Sequence, residues 1–130
     1  MNFMDAVKTC FNKYIDFSGR APRSEFWWFM LFLTIASAIL GQIDTALFGP
    51  TLVMTDNGFE YNTGILGGLF SLATLLPSIA VTARRLHDID KSGWWQLIAL
   101  IPLIGWIIML IWMIKKGTPG DNRFGPDPLG

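Results

Sequence analysis

Arginine, histidine, aspartate and asparagine side chains are concentrated in three short polar segments, each of which borders a long apolar run. Guanidinium groups bind phosphate through paired donors, and a basic pocket between membrane spans suits an anionic lipid headgroup. The candidate headgroup or interface cluster contains Arg20, Arg23, Arg84, Arg85, His87, Asp88, Asp121, Asn122 and Arg123. The simpler interpretation, which we favour, is that the arginines only fix topology and reach the headgroups.

His87 and Asp88 are the residues that come nearest to an acid–base pair. An aspartate can orient an imidazole for proton transfer, but no metal site or evident nucleophile accompanies this pair. The spacing of Arg84 and Asp88 suits an ion pair on a helix that ends at Ser92–Gly93. With one histidine and one cysteine, Cys10, the chain cannot form a Cys/His metal site. We therefore predict no catalytic residue, no metal and no cofactor.

The polar segments are joined by two long apolar runs whose flanking charges are unevenly distributed. No lysine or arginine occurs between Arg23 and Arg84, although the chain contains 10 basic residues and its hydrophobic content is 52%. Basic residues that flank two apolar runs and avoid the loop between them are typical of an integral membrane protein. The formal net charge of zero disfavours a nucleic-acid partner. The fold class predicted is therefore all-α, a polytopic helical membrane protein.

Five segments follow one another in what we expect to be a single membrane domain, residues 1–130. They are an amphipathic helix (1–18), a first span (26–46), a second span (63–83), a third apolar run (94–114) and a polar tail (115–130). The first helix either lies in the membrane interface or docks on the spans. The loop between the spans contains turn residues, Pro50, Asn57 and Asn62, and a short extended piece, Thr51–Met54.

Small residues recur at helical spacing along the second span, where they favour close helix packing. They are Gly64, Gly67, Gly68, Ser71, Thr74 and Ser78. Ser71, Thr74 and Ser78 would line the pathway of a channel or transporter that acts as an oligomer. Pro77 is expected to bend this span without ending it.

The third apolar run allows two conformations because Pro102–Gly105 interrupts it. A kinked helix would cross the membrane, whereas a re-entrant hairpin would return the chain to its starting side. With the N-terminus in the cytoplasm, the first two spans obey the positive-inside rule. Lys115, Lys116 and Arg123 obey it only if the run turns back. Length slightly favours a full crossing and charge favours the return, so both alternatives remain open.

Three ordered motifs carry a resemblance to a known family. They are Gly19–Phe29, with Pro22 as a departure from the usual basic residue, Arg84–Trp95, and Gly117–Pro128. In this order they resemble the bacterial inner-membrane family known as domain of unknown function 805. The resemblance implies a multi-pass inner-membrane protein but no mechanism.

We expect a non-catalytic scaffold or accessory component in the lipid bilayer, with anionic phospholipid, a second copy or another membrane protein as candidate partners. A transporter or channel component is the alternative, and an enzyme using His87 and Asp88 ranks below both.

Overall fold

The computed structural model describes residues 2–49, 52–56, 58–61 and 64–129. The helices are α1 (Phe3–Asn12), α2 (Arg23–Phe48), α3 (Ile65–Asp88), a 3-10 helix (Gly93–Leu100) and α4 (Ile104–Ile114). Two antiparallel strands, β1 (Leu52–Thr55) and β2 (Gly58–Tyr61), form a small hairpin between α2 and α3. The helical class predicted from the sequence is confirmed. Pro50, Thr51, Asn57 and Asn62, and Thr63 at the start of the predicted second span, lie outside the described residues.

The chain divides into two compact units, residues 1–30 with 76–130 and residues 31–75. Both long helices, α2 and α3, contribute to both units. They have 26 and 24 residues, and only 11% and 22% of the residues in an apolar 18-residue stretch of each are buried. At 1.5 Å per residue each exceeds the ~30 Å hydrocarbon core of a bilayer. Pro77 does not end α3.

Helix α1 is shorter than predicted and docks on the start of α2. Asn2 caps its start, since the Asn2 side chain accepts a hydrogen bond from the backbone N–H of Asp5, and the helix ends at Asn12 instead of residue 18. The Asp16 side chain accepts from the Ser18 N–H at 3.0 Å, a local turn that competes with further helix.

Aromatic pairs fix this docking. The ring centroids of Phe3 and Trp28 are 5.8 Å apart, and those of Phe11 and Phe29 are 5.7 Å apart. Both pairs meet edge to face, a favourable geometry. These contacts dock α1 on the start of α2, and its position at the membrane interface stays a prediction.

In the 31–75 unit, Asp44 near the end of α2 caps the first turn of α3. Its carboxylate accepts from the backbone N–H groups of Leu66 and Gly67, both at 2.9 Å, and the residue is 1% exposed. A carboxylate here satisfies two donors that have no partner inside the helix and complements the positive helix end. A Cβ atom at Gly64 would overlap the Asp44 side chain, so glycine is required there for this approach.

The third apolar run folds back on itself. Ile101 precedes Pro102 and is extended, and Leu103 has a φ of 64°, so no continuous helix forms. The Trp106 indole N–H donates to the Ala99 carbonyl at 2.9 Å, and the 3-10 helix lies against α4. A Cβ atom at Gly105 would overlap the Ile98 carbonyl. The run is therefore not the single kinked helix that length slightly favoured, and the side of the membrane that the tail reaches stays a prediction.

Replacing Asp44 with alanine removes the cap of α3 and tests this part of the fold. We expect a loss of roughly 1–2 kcal/mol in the free energy of unfolding, because two backbone donors lose their acceptor in an apolar setting. Unfolding in mixed micelles with increasing SDS measures it. Asp56→Ala, in the exposed hairpin turn, is the matched control and should stay within about 0.5 kcal/mol of the parent. Equal losses in both variants would contradict the capping role.

Candidate functional site: a buried charge cluster that holds the tail

Five charged residues form what we call the buried charge cluster, all within the unit of residues 1–30 and 76–130. They are Arg20 at 6% exposure, Glu25 at 2%, Asp88 at 3%, and Arg84 and Arg85, both at 0%. Arg20 lies between α1 and α2, Glu25 in the first turn of α2, and the other three in the last turns of α3. The Ala21 N–H donates to the Arg84 carbonyl at 2.9 Å and joins these segments.

The pairing in the cluster differs from the sequence prediction. Arg84 pairs with Glu25, whereas Asp88 pairs with Arg85 and, at 2.9 Å, with the Nη2 atom of Arg20. The predicted ion pair between Arg84 and Asp88 is wrong, because Asp88 already faces two other guanidinium groups. Within the described part of the chain, Nε and Nη2 of Arg84 have no hydrogen-bond partner.

Backbone carbonyls of the C-terminal tail complete the cluster. Three guanidinium groups face two carboxylates, which leaves one positive charge without a carboxylate partner. Arg20 donates to the carbonyls of Gly120 and Thr118, each at 2.6 Å, and Arg85 donates to the Lys115 carbonyl. Charged groups buried without such partners cost several kcal/mol, so the tail is part of what makes this cluster stable.

The tail itself is fastened by further contacts to the end of α3. Thr118 N–H donates to the Asp88 carbonyl at 2.7 Å, and the Asn122 side chain donates to the His87 carbonyl at 2.9 Å. A Cβ atom at Gly117 would overlap the Asp88 carboxylate. We name the contacts of residues 117–125 with Arg20, His87 and Asp88 the tail clasp.

Two residues of the predicted cluster contribute less directly. Asp121, which the sequence suggested as a partner for an arginine, accepts a hydrogen bond from the Asp127 N–H at 3.3 Å inside the tail. Arg123 pairs at 3.2 Å with Asp90 on the surface, where the two side chains are 62% and 48% exposed. Arg20 therefore binds backbone carbonyls of the tail, and not the side chain of Asp121.

His87 does not form the acid–base pair that the sequence allowed. Its Nδ1 atom lies 2.8 Å from the Gly19 carbonyl, so this nitrogen donates, and its ring stacks on Phe124 at 4.1 Å. Asp88 bonds arginines instead. Among the described residues, no group of three or more histidine, cysteine, aspartate or glutamate side chains is placed to hold a metal ion.

Cys10 extends the cluster toward α1. Its thiol lies 3.7 Å from the Glu25 carboxylate, and burial, together with the negative charge of Glu25, raises the pKa of Cys10 to about 12. The thiol is therefore protonated at neutral pH and donates to Glu25. Glu25 accepts from both Cys10 and Arg84, which links α1, α2 and α3.

Three basic residues remain exposed beside the cluster and form what we call the basic edge: Arg23, Lys115 and Lys116. Arg23 donates to the Ile114 carbonyl at 3.1 Å, directly before the two lysines. The Trp27 indole N–H donates to the Met113 carbonyl at 3.1 Å. An amphipathic tryptophan beside exposed cations is the composition of a membrane interface.

The small residues predicted for helix packing have several local partners. Gly64 and Gly67 face Asp44. The Thr74 hydroxyl donates to the Phe70 carbonyl of its own helix at 2.8 Å, and the Ser78 carbonyl accepts from Thr82 at 2.7 Å. Ser71 is exposed and Gly68 is half-buried.

Sequence reasoning missed Glu25 and Asp44 as structural residues. Both are acids at the ends of apolar runs, and neither is among the residues predicted for the site. A signal was present for Glu25: three clustered arginines need more than one carboxylate if they are buried. Asp44 gave no comparable signal, because its partners are backbone N–H groups.

Comparison with known proteins now decides the family. The profile of the family described as protein of unknown function DUF805 matches residues 14–126. This chain belongs to that family. Inner membrane protein YhaH of Escherichia coli strain K12 is 42% identical over 127 residues, 96% of this chain and 97% of that protein. The family prediction is confirmed, and with it the inner-membrane character of the chain.

Two further relatives come from the same strain. Inner membrane protein YhaI is 43% identical over 115 residues, 88% of this chain and 87% of the relative. The uncharacterized protein YiiR is 26% identical over 142 residues, 86% and 85% of the two chains. No solved structure matches this chain significantly.

A double-mutant cycle on Glu25 and Arg84 tests the energetics of the cluster. We expect Glu25→Leu and Arg84→Met each to lose about 3–5 kcal/mol of unfolding free energy, since each leaves a buried charge unpaired. The double variant should lose clearly less than the two losses combined. The exposed pair Arg123→Met and Asp90→Asn is the control, with a coupling energy below about 1 kcal/mol. Additive losses at Glu25 and Arg84 would contradict the buried pair.

Proposed function

We propose that this protein is a non-catalytic scaffold or accessory component of the bacterial inner membrane. The proposal rests on one observation: the charged residues of the polar motifs bind other parts of the same chain. Arg20, Arg85 and Asp88 hold the tail, and Glu25 and Arg84 join α2 to α3. A site built for turnover would keep such groups accessible to a substrate, whereas these side chains are buried and engaged within the chain.

The tail clasp supports a topology in which the N-terminus and the tail share the cytoplasmic side. Arg20 precedes α2 and bonds the tail, which follows α4. In this topology the third apolar run is re-entrant, and Lys115, Lys116 and Arg123 join the other basic residues inside. That arrangement obeys the positive-inside rule throughout.

Anionic phospholipid is the partner proposed for the basic edge, and not for the buried arginines. Arg20, Arg84 and Arg85 are engaged with carboxylates or tail carbonyls, which leaves little access for a headgroup. Lys115 and Lys116 are exposed, and basic residues near an anionic surface each contribute about 1 kcal/mol. Association with a second copy or another membrane protein is proposed through the exposed part of the small-residue face of α3, where Ser71 lies.

Reporter fusions test the topology. A compartment-dependent reporter such as alkaline phosphatase or a fluorescent protein, fused after Gly130, should report the cytoplasm. The fluorescent protein should be bright and the phosphatase inactive. A fusion at Asp56, in the loop between the long helices, is the internal control and should report the opposite side. An active phosphatase on the tail would contradict a shared side for the N-terminus and the tail.

Lipid selectivity tests the basic edge. We expect Lys115→Gln with Lys116→Gln to reduce binding of phosphatidylglycerol relative to phosphatidylcholine about fivefold for each lysine. Native mass spectrometry of the purified protein with both lipids measures the ratio. The control removes the same charge from Lys8 in α1 and from Lys13 directly after it, with Lys8→Gln and Lys13→Gln, and should have the smaller effect. Equal effects of both pairs, or none, would contradict a specific role for the basic edge.

A further inference from the structure

A pocket of about 400 Å³ lies in the unit of residues 1–30 and 76–130, beside the polar end of α3. Its lining is mostly apolar and includes three polar side chains. The residues are Phe17, Ile79, Ala83, His87, Ser92, Gly93, Trp94 and Gln96. Its volume and its few converging polar groups are those of a small-molecule site. None of the roles described above uses this pocket.

The second nitrogen of His87 provides a hydrogen-bond acceptor in the wall of this pocket. The Gly19 carbonyl can only accept, so Nδ1 carries a hydrogen, and in the Nδ1–H tautomer the lone pair of the ring is at Nε2. A Cβ atom at Gly93, another lining residue, would lie 3.5 Å from Nε2, which places this nitrogen at the pocket. His87 is 9% exposed, and among the described residues Nε2 has no hydrogen-bond partner.

Ser92 and Gln96 supply the complementary groups. The Ser92 oxygen accepts from the Trp94 N–H at 3.3 Å, which leaves its hydroxyl hydrogen as a donor. A ligand hydroxyl can donate to His87 Nε2 and accept from Ser92 or Gln96 with the same oxygen. A carboxylate lacks the hydrogen that Nε2 requires, so this combination favours a neutral hydroxyl group.

The apolar part of the pocket indicates where the apolar part of a ligand would lie. Ile79 precedes His87 by eight residues on α3, which separates them by about 12 Å along the helix axis. The intervening Ala83 is small, and the Trp94 side chain, 79% exposed, borders the same pocket. The site therefore has a polar end at the last turn of α3 and an apolar end toward the middle of the helix.

We propose that this pocket binds a neutral single-chain amphiphile, whose headgroup hydroxyl donates to His87 Nε2 and whose chain lies along α3 toward Ile79. Binding occurs from the membrane, where such amphiphiles partition. The His87 ring is already fixed by Gly19 and by its stack on Phe124, so the acceptor is oriented before the ligand arrives.

Native mass spectrometry with 1-monooleoylglycerol as the probe tests this proposal. Methyl oleate, which has a similar chain and no hydroxyl, and oleic acid, which is ionised, are the comparison ligands. We expect the parent protein to prefer monooleoylglycerol over methyl oleate roughly two- to tenfold, the effect of one hydrogen bond. Equal binding of both ligands, binding of neither, or a preference for oleic acid would each overturn the proposal.

Variants separate the headgroup contact from the apolar contact. His87→Asn keeps a donor near the Gly19 carbonyl but loses the Nε2 acceptor, and should bind both neutral ligands equally. Ile79→Trp fills the apolar part and should reduce binding of both at least fivefold. Leu76→Trp, on the same helix but outside the pocket lining, should bind as the parent does. A preference retained in His87→Asn, or unchanged binding in Ile79→Trp, would overturn the assignment. If His87→Asn fails to fold, the ligand comparison in the parent protein and the binding measured for Ile79→Trp still test the proposal.

Discussion

Three guanidinium groups are buried beside only two carboxylates at one end of the long helices, and the contacts of the surrounding segments follow from this imbalance. Each charge must find a partner where water is scarce, because an unpaired buried charge costs several kcal/mol. Arg84 pairs with Glu25, and both Arg85 and Arg20 pair with Asp88. Carbonyls of the tail accept hydrogen bonds from the arginines and partly compensate the remaining positive charge. The cluster thereby ties together α1, both long helices and the C-terminal tail.

The hairpin of the third apolar run is the geometric counterpart of this cluster. Only a chain that reverses near Pro102 can bring Lys115 and Thr118 back to Arg85 and Arg20. Proline disfavours helix at the residue before it, and Gly105 allows close contact with the Ile98 carbonyl. Local backbone chemistry and long-range charge pairing therefore favour the same conformation, a consistency expected of a sequence that specifies one fold.

The sequence predicted the long helices and four of the five residues of the buried charge cluster, but neither Glu25 nor the pairing of the charges. The length of the apolar runs and the absence of basic residues between Arg23 and Arg84 were sufficient to predict the two long helices. Arg84 and Asp88 were expected to pair because they are four residues apart, yet long-range partners outweighed that spacing. Asp44 was unpredictable for another reason: it satisfies backbone groups of α3, and a sequence pattern does not reveal such contacts.

Hydrogen exchange at the tail reports whether Arg20 holds it against the end of α3. The Thr118 amide, which donates to the Asp88 carbonyl, should exchange slowly in the parent protein. In Arg20→Met its protection should fall severalfold or more, while amides in the middle of α3 keep theirs. Rapid exchange at Thr118 in the parent, or protection there that survives Arg20→Met, would contradict the account.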